Sequence, residues 1–369
     1  MKIALVHDWL TGMRGGEKVL LELLRLLPSA GVFTLLWKRG SVVPQIEQRV
    51  RATSFLDRLP GSTTAYRYYL PLFPAAIRSL DLSGYDLILS SSHAVAHSAA
   101  IPEGAVHISY ILTPMRYLWE TAPDYFRFGP GRWWKQAALA AAAPWLRRFD
   151  RRTAAGADYL VAISENVRRR IQRAWGRDAE IIHPPADTDF FTPDPHGASG
   201  DYYLVVSSLE PYKRLDLALD AFSGCRRRLL VAGRGTQERA LRRRARPPVE
   251  ILGEVSDEQL RHLYRHCRAL IFPGREDFGL TPVEAQACGR PVVCFGEGGA
   301  VESVLDGVTG VHFRSQTPAA LAAAVERLEQ LDWDSERIRR HSLQFSRQRF
   351  HDRMKAFLRA KVSGLWEMP

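Results

Sequence analysis

A chain of 369 residues is too long for one ordinary hydrophobic core, and an apolar fraction of 46% excludes an intrinsically disordered protein. The length favours two domains of roughly 150–200 residues each. The net charge of +11 favours an anionic partner, such as a nucleotide, a phospholipid surface or a nucleic acid, but does not choose among them.

The cysteine pattern indicates a reduced compartment without structural zinc. None of the four cysteines forms a CxxC pair, and no histidine cluster shares metal-ligand spacing with them. The opening stretch MKIALVHDWL shows no export signal. No apolar run reaches the ~20 residues that a spanning helix needs. We therefore expect a cytoplasmic protein that at most rests on a membrane surface.

Strands alternate with helices through the first half of the chain. Short apolar runs predict buried strands at 2–7, 31–37, 85–92, 105–112 and 158–164. A glycine-containing loop at 8–16 leads into a helix predicted at 17–28, and Ser164 is the predicted cap of a helix over 165–175. This alternation is typical of a parallel α/β sheet.

A stretch rich in proline, glycine and aspartate, at 181–200, interrupts the pattern and is the predicted linker. The alternation then restarts, with strands predicted at 202–208, 227–233, 249–255, 268–273 and 290–296. Helices are predicted between them and over the last part of the chain, at 214–222, 257–267, 282–289 and 335–362. We expect two Rossmann-like halves whose strand ends, where ligands bind in open α/β sheets, face each other across a cleft.

The stretch EDFGLTPVEAQACGRPVV raises two interpretations of its second glutamate. Thr281 suits a helix N-cap, Pro282 the first helical position and Glu284 the third, which together form a capping box. Glu284 therefore has a purely structural explanation. A ligand-binding role for the same residue stays open beside it.

Glu276 has no such structural explanation, because it lies in a loop that feeds a helix N-terminus. Free amides and the helix dipole attract phosphate at such a terminus, here at Gly279 to Thr281. A phosphate there would place its substituents between the two carboxylates, which accept hydroxyl hydrogen bonds well. The pattern suggests a sugar nucleotide, with the sugar at Glu276 and the ribose at Glu284.

The same stretch resembles the E-x7-E motif of the retaining glycosyltransferases of family 4. Four further segments occur in matching order, which extends the resemblance over nearly the whole chain: HDWLTGMRGGEKVL, TPMRYLWE, IIHPPADTDFF and EPYKRLDLALDAF. The first of them is similar to the glycine loop of the mannosyltransferase-like branch. The resemblance implies a GT-B fold, with domains at 1–190 and 200–345 and a C-terminal helix at 346–369 packing back on the first domain.

The resemblance also implies roles for individual residues on the donor side. It assigns Glu276 to the donor sugar, Glu284 to the ribose and Lys213 to the diphosphate. The backbone of Phe278, Gly279 and Leu280 would face that diphosphate. Thr281, the next residue, is also expected to contact the donor.

Two glycine-containing turns complete the expected donor side. Gly253 to Val255 resembles the turn that meets the nucleobase. Gly15 and Gly16 would let the diphosphate or the acceptor approach the first domain, and a plain tight turn is the alternative.

Two positions depart from the family pattern. Ser208 stands where an arginine is frequent, and Arg214 is a candidate to supply the missing charge. Leu112 stands where family members commonly have a histidine that contacts the donor sugar. His93 is a candidate replacement, with an ordinary structural histidine as the alternative.

The implied reaction is a retaining, metal-independent transfer that needs no cofactor. The acceptor hydroxyl would attack beside the departing phosphate, which takes its proton. Asp8 and Arg116 are candidate contacts on the acceptor side. GDP-mannose is the donor expected by resemblance.

The acceptor is expected to be a saccharide, and the stretch at 127–152 bears on whether it is lipid-linked. Trp133, Trp134 and Trp145 could insert into an anionic bilayer with arginines at the head groups. A buried helix between the domains, with a basic exposed face, is the alternative. The membrane interpretation favours a lipid-linked acceptor and the synthesis of a surface polysaccharide.

Three rival functions were weighed against the transferase. A nucleic-acid binder is disfavoured because the arginine runs lack interleaved aromatic residues. A dinucleotide oxidoreductase is disfavoured because GMRGG, after the first strand, lacks the G-x-G-x-x-G spacing of the dinucleotide-binding motif. A sugar-nucleotide-binding protein with little or no activity, suggested by Leu112 and Ser208, stays as the alternative.

Overall fold

The computed structural model describes residues 1–119, 132–195, 197 and 200–363 of the chain. The chain forms two compact units. Unit 1 comprises Met1–His183 together with the segment that starts at His351, and unit 2 comprises Pro184–Phe350. The predicted limits of 1–190, 200–345 and 346–369 stay predictions about the domains of the protein in solution.

Unit 1 contains a parallel sheet of seven strands in the order β3-β2-β1-β4-β5-β6-β7. The strands are β1 (Ile3–His7), β2 (Gly31–Thr34), β3 (Val50–Thr53), β4 (Leu87–Ser92), β5 (Val106–Ile111), β6 (Tyr159–Ala162) and β7 (Glu180–Ile181). The inner strands β1 and β4 are buried on both faces, as expected when helices cover both faces of a parallel sheet. The strand order reverses between β1 and β4, so the loops that follow these two strands diverge and leave room between them.

The helices of unit 1 connect these strands. They are α1 (Gly15–Leu26), α2 (Pro44–Glu47), α3 (Ser62–Ala65), α4 (Phe73–Arg78), α5 (Arg116–Trp119), α6 (Arg132–Ala154) and α7 (Glu165–Trp175), with 3-10 turns at Phe55–Arg58, Tyr66–Leu72 and Ala96–Ser98. Ser164 caps α7 as predicted, since its side chain accepts from the amide of Val167 at 3.0 Å.

Unit 2 repeats the architecture with a parallel sheet of six strands in the order β10-β9-β8-β11-β12-β13. The strands are β8 (Tyr202–Val206), β9 (Arg228–Ala232), β10 (Val249–Gly253), β11 (Leu270–Phe272), β12 (Val292–Phe295) and β13 (Gly310–Phe313). The order again reverses once, between β8 and β11. This is the strand order of a Rossmann sheet, with its switch point at that pair.

The helices of unit 2 are α8 (Leu215–Phe222), α9 (Glu238–Arg244), α10 (Asp257–His266), α11 (Leu280–Ala287), α12 (Ala300–Ser303), α13 (Pro318–Glu329) and α14 (Ser335–Ser342), with 3-10 turns at Pro211–Lys213 and Leu343–Phe345. The last helix, α15 (Arg347–Lys361), runs from unit 2 into unit 1. In unit 1, His351 of this helix lies 3.0 Å from the buried carboxylate of Glu22.

The prediction of two parallel α/β sheets is confirmed, with errors at element ends and in one long helix. The predicted helix over 335–362 is wrong as one element, because a 3-10 turn at Leu343–Phe345 separates α14 from α15. Strand β13, which is only four residues long, and the alanine-rich helix α13 were not among the predicted elements. Within the described part of the chain, no helix is long and apolar enough to cross a membrane.

One buried carboxylate ties together the helices on one side of unit 1. Asp150 of α6 is fully buried, and one of its oxygens accepts from the indole nitrogens of Trp119 at 2.8 Å and Trp175 at 2.6 Å. Its other oxygen lies 3.2 Å from Nε2 of His97. Three segments far apart in the sequence therefore share one acceptor group.

We expect Asp150→Asn to lower the free energy of unfolding by about 2–4 kcal/mol. If the amide oxygen accepts from both indoles, the amide NH2 group replaces the carboxylate oxygen that faces Nε2 of His97. Chemical denaturation followed by tryptophan fluorescence measures the change. Asp178→Asn is the matched control, since Asp178 forms a surface pair with Arg168 and such pairs contribute little. Equal midpoints for the two variants would contradict this account.

Candidate active site

The loops that leave the carboxyl ends of β8 and β11 meet at the switch point of unit 2. The first loop ends in the 3-10 turn Pro211–Lys213, and the second runs from Pro273 to the start of α11. Because β8 and β11 are sheet neighbours, both loops begin at the same edge of the sheet. This edge is where the sequence analysis expected the donor to bind.

An ion pair joins these two loops. The ammonium group of Lys213 contacts Oε1 of Glu276, and the two side chains are 18% and 10% exposed. The ammonium also lies 5.1 Å from the ring centroid of Tyr212. The structure therefore brings together the two residues to which the resemblance assigns the donor sugar and the diphosphate. Both side chains are largely buried and keep only a small exposed fraction.

Three glycines that sequence reasoning missed lie where the backbone of the Glu276 loop meets its neighbours, Gly274 against the Lys213 loop and the other two in the turn after β12. A Cβ at Gly274 would lie 3.1 Å from the backbone of Lys213. A side chain at Gly299 would collide with the carbonyl oxygen of Asp277, and one at Gly298 would collide with that of Glu276. The amide of Gly299 donates to the Glu276 carbonyl at 2.8 Å. The signal for this turn was the glycine cluster GEGG directly after a predicted strand.

The predicted capping box at Thr281 and Glu284 is wrong. Helix α11 begins at Leu280 with Gly279 as its N-cap, and no side chain caps it. Gly279 has a φ of 91°, and a Cβ there would lie 2.8 Å from the ring of Phe272. Because glycine alone accepts this conformation and space, the helix starts two residues earlier than the Thr-Pro pair suggested. Glu284 is then too far along the helix to cap it.

Glu284 instead lies buried beneath the start of the helix. It is 4% exposed, and its Oε2 accepts from the hydroxyl of Tyr264 at 3.0 Å. Tyr264 belongs to α10, and the sequence analysis missed it because its position in that helix looks like an ordinary core site. The ribose assignment for Glu284 stays a prediction.

The residues between the two glutamates differ in their surroundings. Phe278 is buried, and its ring packs edge-on against Phe345 at 5.3 Å. Leu280 and Thr281 are half-buried, at the first turn of α11. The hydroxyl oxygen of Thr281 is buried and has no hydrogen-bond partner within the described residues. The first turn of this helix, with its unpaired amides, lies directly after the Glu276 loop.

Arg214 follows Lys213 and turns toward other groups. It has a φ of 53°, and its guanidinium donates twice to Asp216 at 3.1 Å and once to Gln316 at 3.2 Å. Gln316 in turn donates to the carbonyl of Pro273 at 3.0 Å. Arg214 therefore fixes the two loops relative to each other. That Arg214 supplies the positive charge which the family commonly has at the position of Ser208 stays a prediction.

The turn predicted to meet the nucleobase lies at the same edge of the sheet. Gly253 ends β10 with a φ of 82°, and its carbonyl accepts from the amide of Gly233 at 2.7 Å. Val255 is half-buried two residues later. This turn sits two strands from the Lys213 loop, since β10, β9 and β8 are consecutive in the sheet.

In unit 1, Asp8 holds the loop that follows β4. It is fully buried, and its two oxygens accept from the amides of His93, Ala94, Val95 and Ala96 at 2.6 to 2.9 Å. Burial alone would raise the pKa of Asp8, but the adjacent His93 and these amides lower it below its ordinary value. The geometry gives Asp8 a structural task, and contact with an acceptor stays a prediction.

Near Asp8, His93 lies close to His7, and Leu112 lies close to Gly16 at the start of α1. His93 Nδ1 is 3.1 Å from Asp8, its side chain is 27% exposed, and its ring is 5.9 Å from that of His7. A Cβ at Gly16 would lie 3.1 Å from Leu112 and 3.4 Å from His7. Side chains at the end of β1 and directly after β5 are thus packed closely around Gly16.

The expected position of the two glycines needs a correction. Gly15 and Gly16 are the first two residues of α1, with Arg14 as its N-cap, and do not form a turn before the helix. The Glu17 side chain accepts from the amide of Arg14 at 3.0 Å, which stabilises this early start.

Arg116 lines a cavity of about 270 Å³ in unit 1, together with Pro114, Trp119, Arg170, Arg173 and Ala174. Arg170 is buried, and it donates to the hydroxyl of Thr113 at 3.3 Å. Three guanidinium groups therefore surround one cavity, behind the carboxyl end of β5. The sequence analysis found only Arg116, because the other two lie in a run that looks like an exposed helix face.

The predicted membrane-facing stretch is only partly described. Residues 127–131 and the side chains of Trp133 and Trp134 lie outside the described residues. Trp145 of α6 is 52% exposed, with its ring 6.4 Å from that of Phe149. Among the residues that the structure describes, no group of three His, Cys, Asp or Glu side chains could hold a metal ion.

Comparison with known protein families identifies the family of the chain. A family model described as "Glycosyltransferase Family 4" matches residues 13–190, and one described as "Glycosyl transferases group 1" matches residues 191–344. The two models together cover nearly the whole chain. The chain belongs to glycosyltransferase family 4. Its two Rossmann-like units are those of the GT-B fold.

Curated relatives of this family 4 glycosyltransferase match about half of the chain. A D-inositol 3-phosphate glycosyltransferase from Geodermatophilus obscurus is 32% identical over 56% of this chain and 53% of its own length. A GDP-mannose-dependent alpha-(1-6)-phosphatidylinositol monomannoside mannosyltransferase from Mycolicibacterium smegmatis is 34% identical over 49% of this chain and 56% of its own. The matched region is thus about half the length of these relatives.

Solved structures share the fold across almost the entire chain. The Anabaena protein HepE in complex with UDP has a TM-score of 0.71 at 17% identity, covering 98% of this chain and 100% of that one. The sucrose-phosphate synthase from Thermosynechococcus elongatus has a TM-score of 0.71 at 14% identity, covering 98% and 99% of the two chains.

We expect Asp8→Asn to lower the free energy of unfolding by about 2–4 kcal/mol, because an amide cannot accept four backbone amides with both of its heavy atoms. Folding lowers the pKa of Asp8, so its contribution is present above the unfolded value of about 3.9 and is lost as the pH falls toward the folded value. The stability gap between wild type and variant should therefore narrow below about pH 4.

Denaturation midpoints between pH 3 and pH 8 measure this gap. Asp81→Asn is the control, since Asp81 is an exposed carboxylate with only a local hydrogen bond to Ser83 at 3.0 Å, and its midpoint should stay near that of the wild type. A stable Asp8→Asn protein that has lost only acceptor binding would instead support the original acceptor assignment.

Proposed function

We propose that this family 4 glycosyltransferase transfers a sugar from a nucleoside diphosphate donor to a saccharide acceptor, with retention of configuration and without a metal ion. The observation that carries the proposal is the Lys213–Glu276 ion pair at the switch point of unit 2. An ammonium and a carboxylate at this edge, next to a helix start, match the two ends of a sugar diphosphate.

The donor would bind across the two loops in an extended form. Its diphosphate would lie against the first turn of α11, where the amides after Gly279 face outward and the helix dipole favours negative charge. Its ribose would reach Glu284, deeper along the same helix. Its base would lie toward the Gly253 to Val255 turn at the same sheet edge.

Binding would change the partners of Lys213. In the resting site the ammonium neutralises Glu276, which keeps both charges compensated while they are largely buried. When the diphosphate arrives, Lys213 can turn to its oxygens, and the freed carboxylate of Glu276 can accept from the sugar hydroxyls. Each charge then keeps an opposite or hydrogen-bonding partner throughout the exchange.

The reaction step would use the same groups. The acceptor hydroxyl would attack the anomeric carbon on the face from which the diphosphate leaves, and the leaving oxygen would take the hydroxyl proton. Lys213 and the helix start would stabilise the negative charge that develops on the diphosphate. Glu276 would hold the sugar in the orientation that this attack needs.

GDP-mannose is the donor that we propose first. A relative that is 34% identical is named as GDP-mannose-dependent, which supports this choice. The HepE structures are described as complexes with UDP and with UDP-glucose, so a uridine donor is the main competitor. The two differ only in the nucleoside and the sugar, and the diphosphate site serves both.

The acceptor would be a saccharide that bears an anionic group. The three arginines around the unit 1 cavity, with Trp119 as one wall, suit a phosphate or a carboxylate. The acceptors in the two relatives' names, D-inositol 3-phosphate and phosphatidylinositol monomannoside, both carry a phosphate.

A lipid-linked acceptor would place the protein at the cytoplasmic membrane face in polysaccharide synthesis. The half-exposed Trp145 among the arginines of α6 is compatible with that location.

A sugar-nucleotide-binding protein with little activity is the second candidate. Leu112 supports it, because an apolar side chain packs against Gly16 where the family commonly has a histidine. Such a protein would bind the donor but would not turn it over.

The first experiment compares wild type with Glu276→Gln against GDP-, UDP- and ADP-sugars without added metal. One donor should raise the melting temperature of the wild type and be slowly hydrolysed. Glu276→Gln should reduce that hydrolysis roughly 100-fold to 1,000-fold, because it removes a group that orients the sugar. Glu297→Gln is the matched control, since Glu297 lies in the adjoining turn and is 55% exposed.

The outcomes separate the two candidate functions. Donor stabilisation without hydrolysis in the wild type would favour the binding protein. No stabilisation by any donor would contradict the proposal, and full activity in Glu276→Gln would remove Glu276 from the reaction.

A second experiment tests the anionic acceptor with Arg173→Gln. The probes are one saccharide with a phosphate monoester and the same saccharide without it. The variant should raise the KM for the phosphorylated acceptor about tenfold and leave the neutral one unchanged, because a guanidinium–phosphate contact is lost.

The matched control for this experiment is Arg169→Gln, on the same helix and paired with Glu165 on the surface. It should change neither KM. If Arg173→Gln changed the KM of both acceptors equally, or changed neither, the arginine cavity would not be the site that binds the acceptor phosphate.

A further inference from the structure

Glu284 is held by a hydrogen bond that the proposed donor site does not explain. The hydroxyl of Tyr264 donates to Oε2 of Glu284 at 3.0 Å, between α10 and α11. The tyrosine ring is fully buried, and the carboxylate is 4% exposed. A buried carboxylate is costly unless hydrogen bonds satisfy it, so this contact stabilises a group that the core would otherwise disfavour.

The surroundings of Tyr264 leave its ring little freedom. Phe191 packs edge-on against it with ring centroids 5.4 Å apart. The helix that carries it begins with a capping box. The Ser256 hydroxyl accepts from the amide of Gln259 at 3.2 Å, and the side-chain oxygen of Gln259 accepts from the amide of Ser256 at 2.9 Å. The hydroxyl is therefore presented to Glu284 from a rigid base.

The hydroxyl also stays a donor over the whole physiological range. Burial raises the pKa of Tyr264 well above its ordinary value, and the neighbouring Glu284 raises it further. A protonated phenol beside a carboxylate has only one way to form the bond, with the phenol donating.

A carboxylate has about four lone-pair positions, so accepting from one phenol does not exhaust it. What the bond does is fix the rotation of the carboxylate plane. The carboxylate is then held in a constant direction, and ribose hydroxyls can be received without reordering the side chain.

We propose that Tyr264 is a positioning residue that aims Glu284 at the two ribose hydroxyls of the donor and thereby makes the site selective for ribonucleotides over deoxyribonucleotides. The inference rests on the proposed function, since it assigns the ribose to Glu284. It adds a residue and a selectivity that the E-x7-E motif does not include.

The test measures nucleotide affinity by calorimetry in the full-length protein. The probes are GDP and UDP and their 2′,3′-dideoxy counterparts, which keep the base and the diphosphate but lack both hydroxyls. The proteins are wild type, Tyr264→Phe, Glu284→Gln and the double variant. This design separates an effect on the ribose from an effect on the whole site.

We expect Tyr264→Phe to weaken binding of the better ribonucleotide about tenfold and to leave the dideoxy form within about twofold. In the Glu284→Gln background, the same substitution should have no further effect on either probe. The ratio of ribo to dideoxy affinity is the decisive quantity, because loss of packing alone would weaken both probes equally.

Tyr203→Phe is the matched control for lost stability. Tyr203 is also fully buried in unit 2, and its hydroxyl donates to Glu329 at 2.7 Å. This substitution removes the same kind of bond away from Glu284, so it should lower the melting temperature similarly and leave the affinity ratio unchanged.

Two results would overturn the inference, and they differ in what they say about the proposed function. An unchanged ribo-to-dideoxy ratio in Tyr264→Phe, with normal nucleotide binding in the wild type, would remove Tyr264 from ribose recognition and leave the donor site standing. No binding of GDP or UDP by the wild type would remove the donor site and the inference together.

Discussion

The ion pair between Lys213 and Glu276 is the constraint around which unit 2 is arranged at its sheet edge. Two largely buried opposite charges need each other, and they can meet only if their loops come into backbone contact. Gly274 allows that contact by leaving out a side chain, and Gly298 and Gly299 let the turn after β12 pack against the Glu276 loop. The reversal of strand order at β8 and β11 supplies the space, and the helix start at Gly279 supplies unpaired amides. These glycines, the strand-order reversal and the helix start together place an ammonium, a carboxylate and a helix terminus at one site.

Unit 1 uses buried charge differently. Asp8 accepts four backbone amides and so fixes the loop after β4, while Asp150 holds two indoles and a histidine behind β5. In both cases one carboxylate accepts hydrogen bonds from several donors that lie far from it in the sequence. These groups shape the strand ends without facing solvent themselves. The charged groups that line the cavity around Arg116 are cationic, which gives that cavity a binding chemistry opposite to that of a carboxylate.

The fold could be predicted from the sequence because buried parallel strands are continuous apolar runs, and most of these were found. The family resemblance implied that Lys213 and Glu276, which lie far apart in the chain, belong to one donor site, but it did not predict the ion pair between them. The capping box at Thr281 failed because a glycine with positive φ, a property of the backbone in three dimensions, decided where the helix begins. Tyr264 could not be found from the sequence at all, since a tyrosine at a core position of a helix gives no sign of the acid that it meets.

The most direct measurement is a crystal structure of the protein with GDP or UDP bound, whichever binds more tightly. The account predicts the diphosphate at the first turn after Gly279 with Lys213 turned toward it, and the ribose hydroxyls on Glu284 beside Tyr264. A nucleotide bound elsewhere, or bound here with the Lys213–Glu276 pair intact and the ribose pointing away from Glu284, would contradict it.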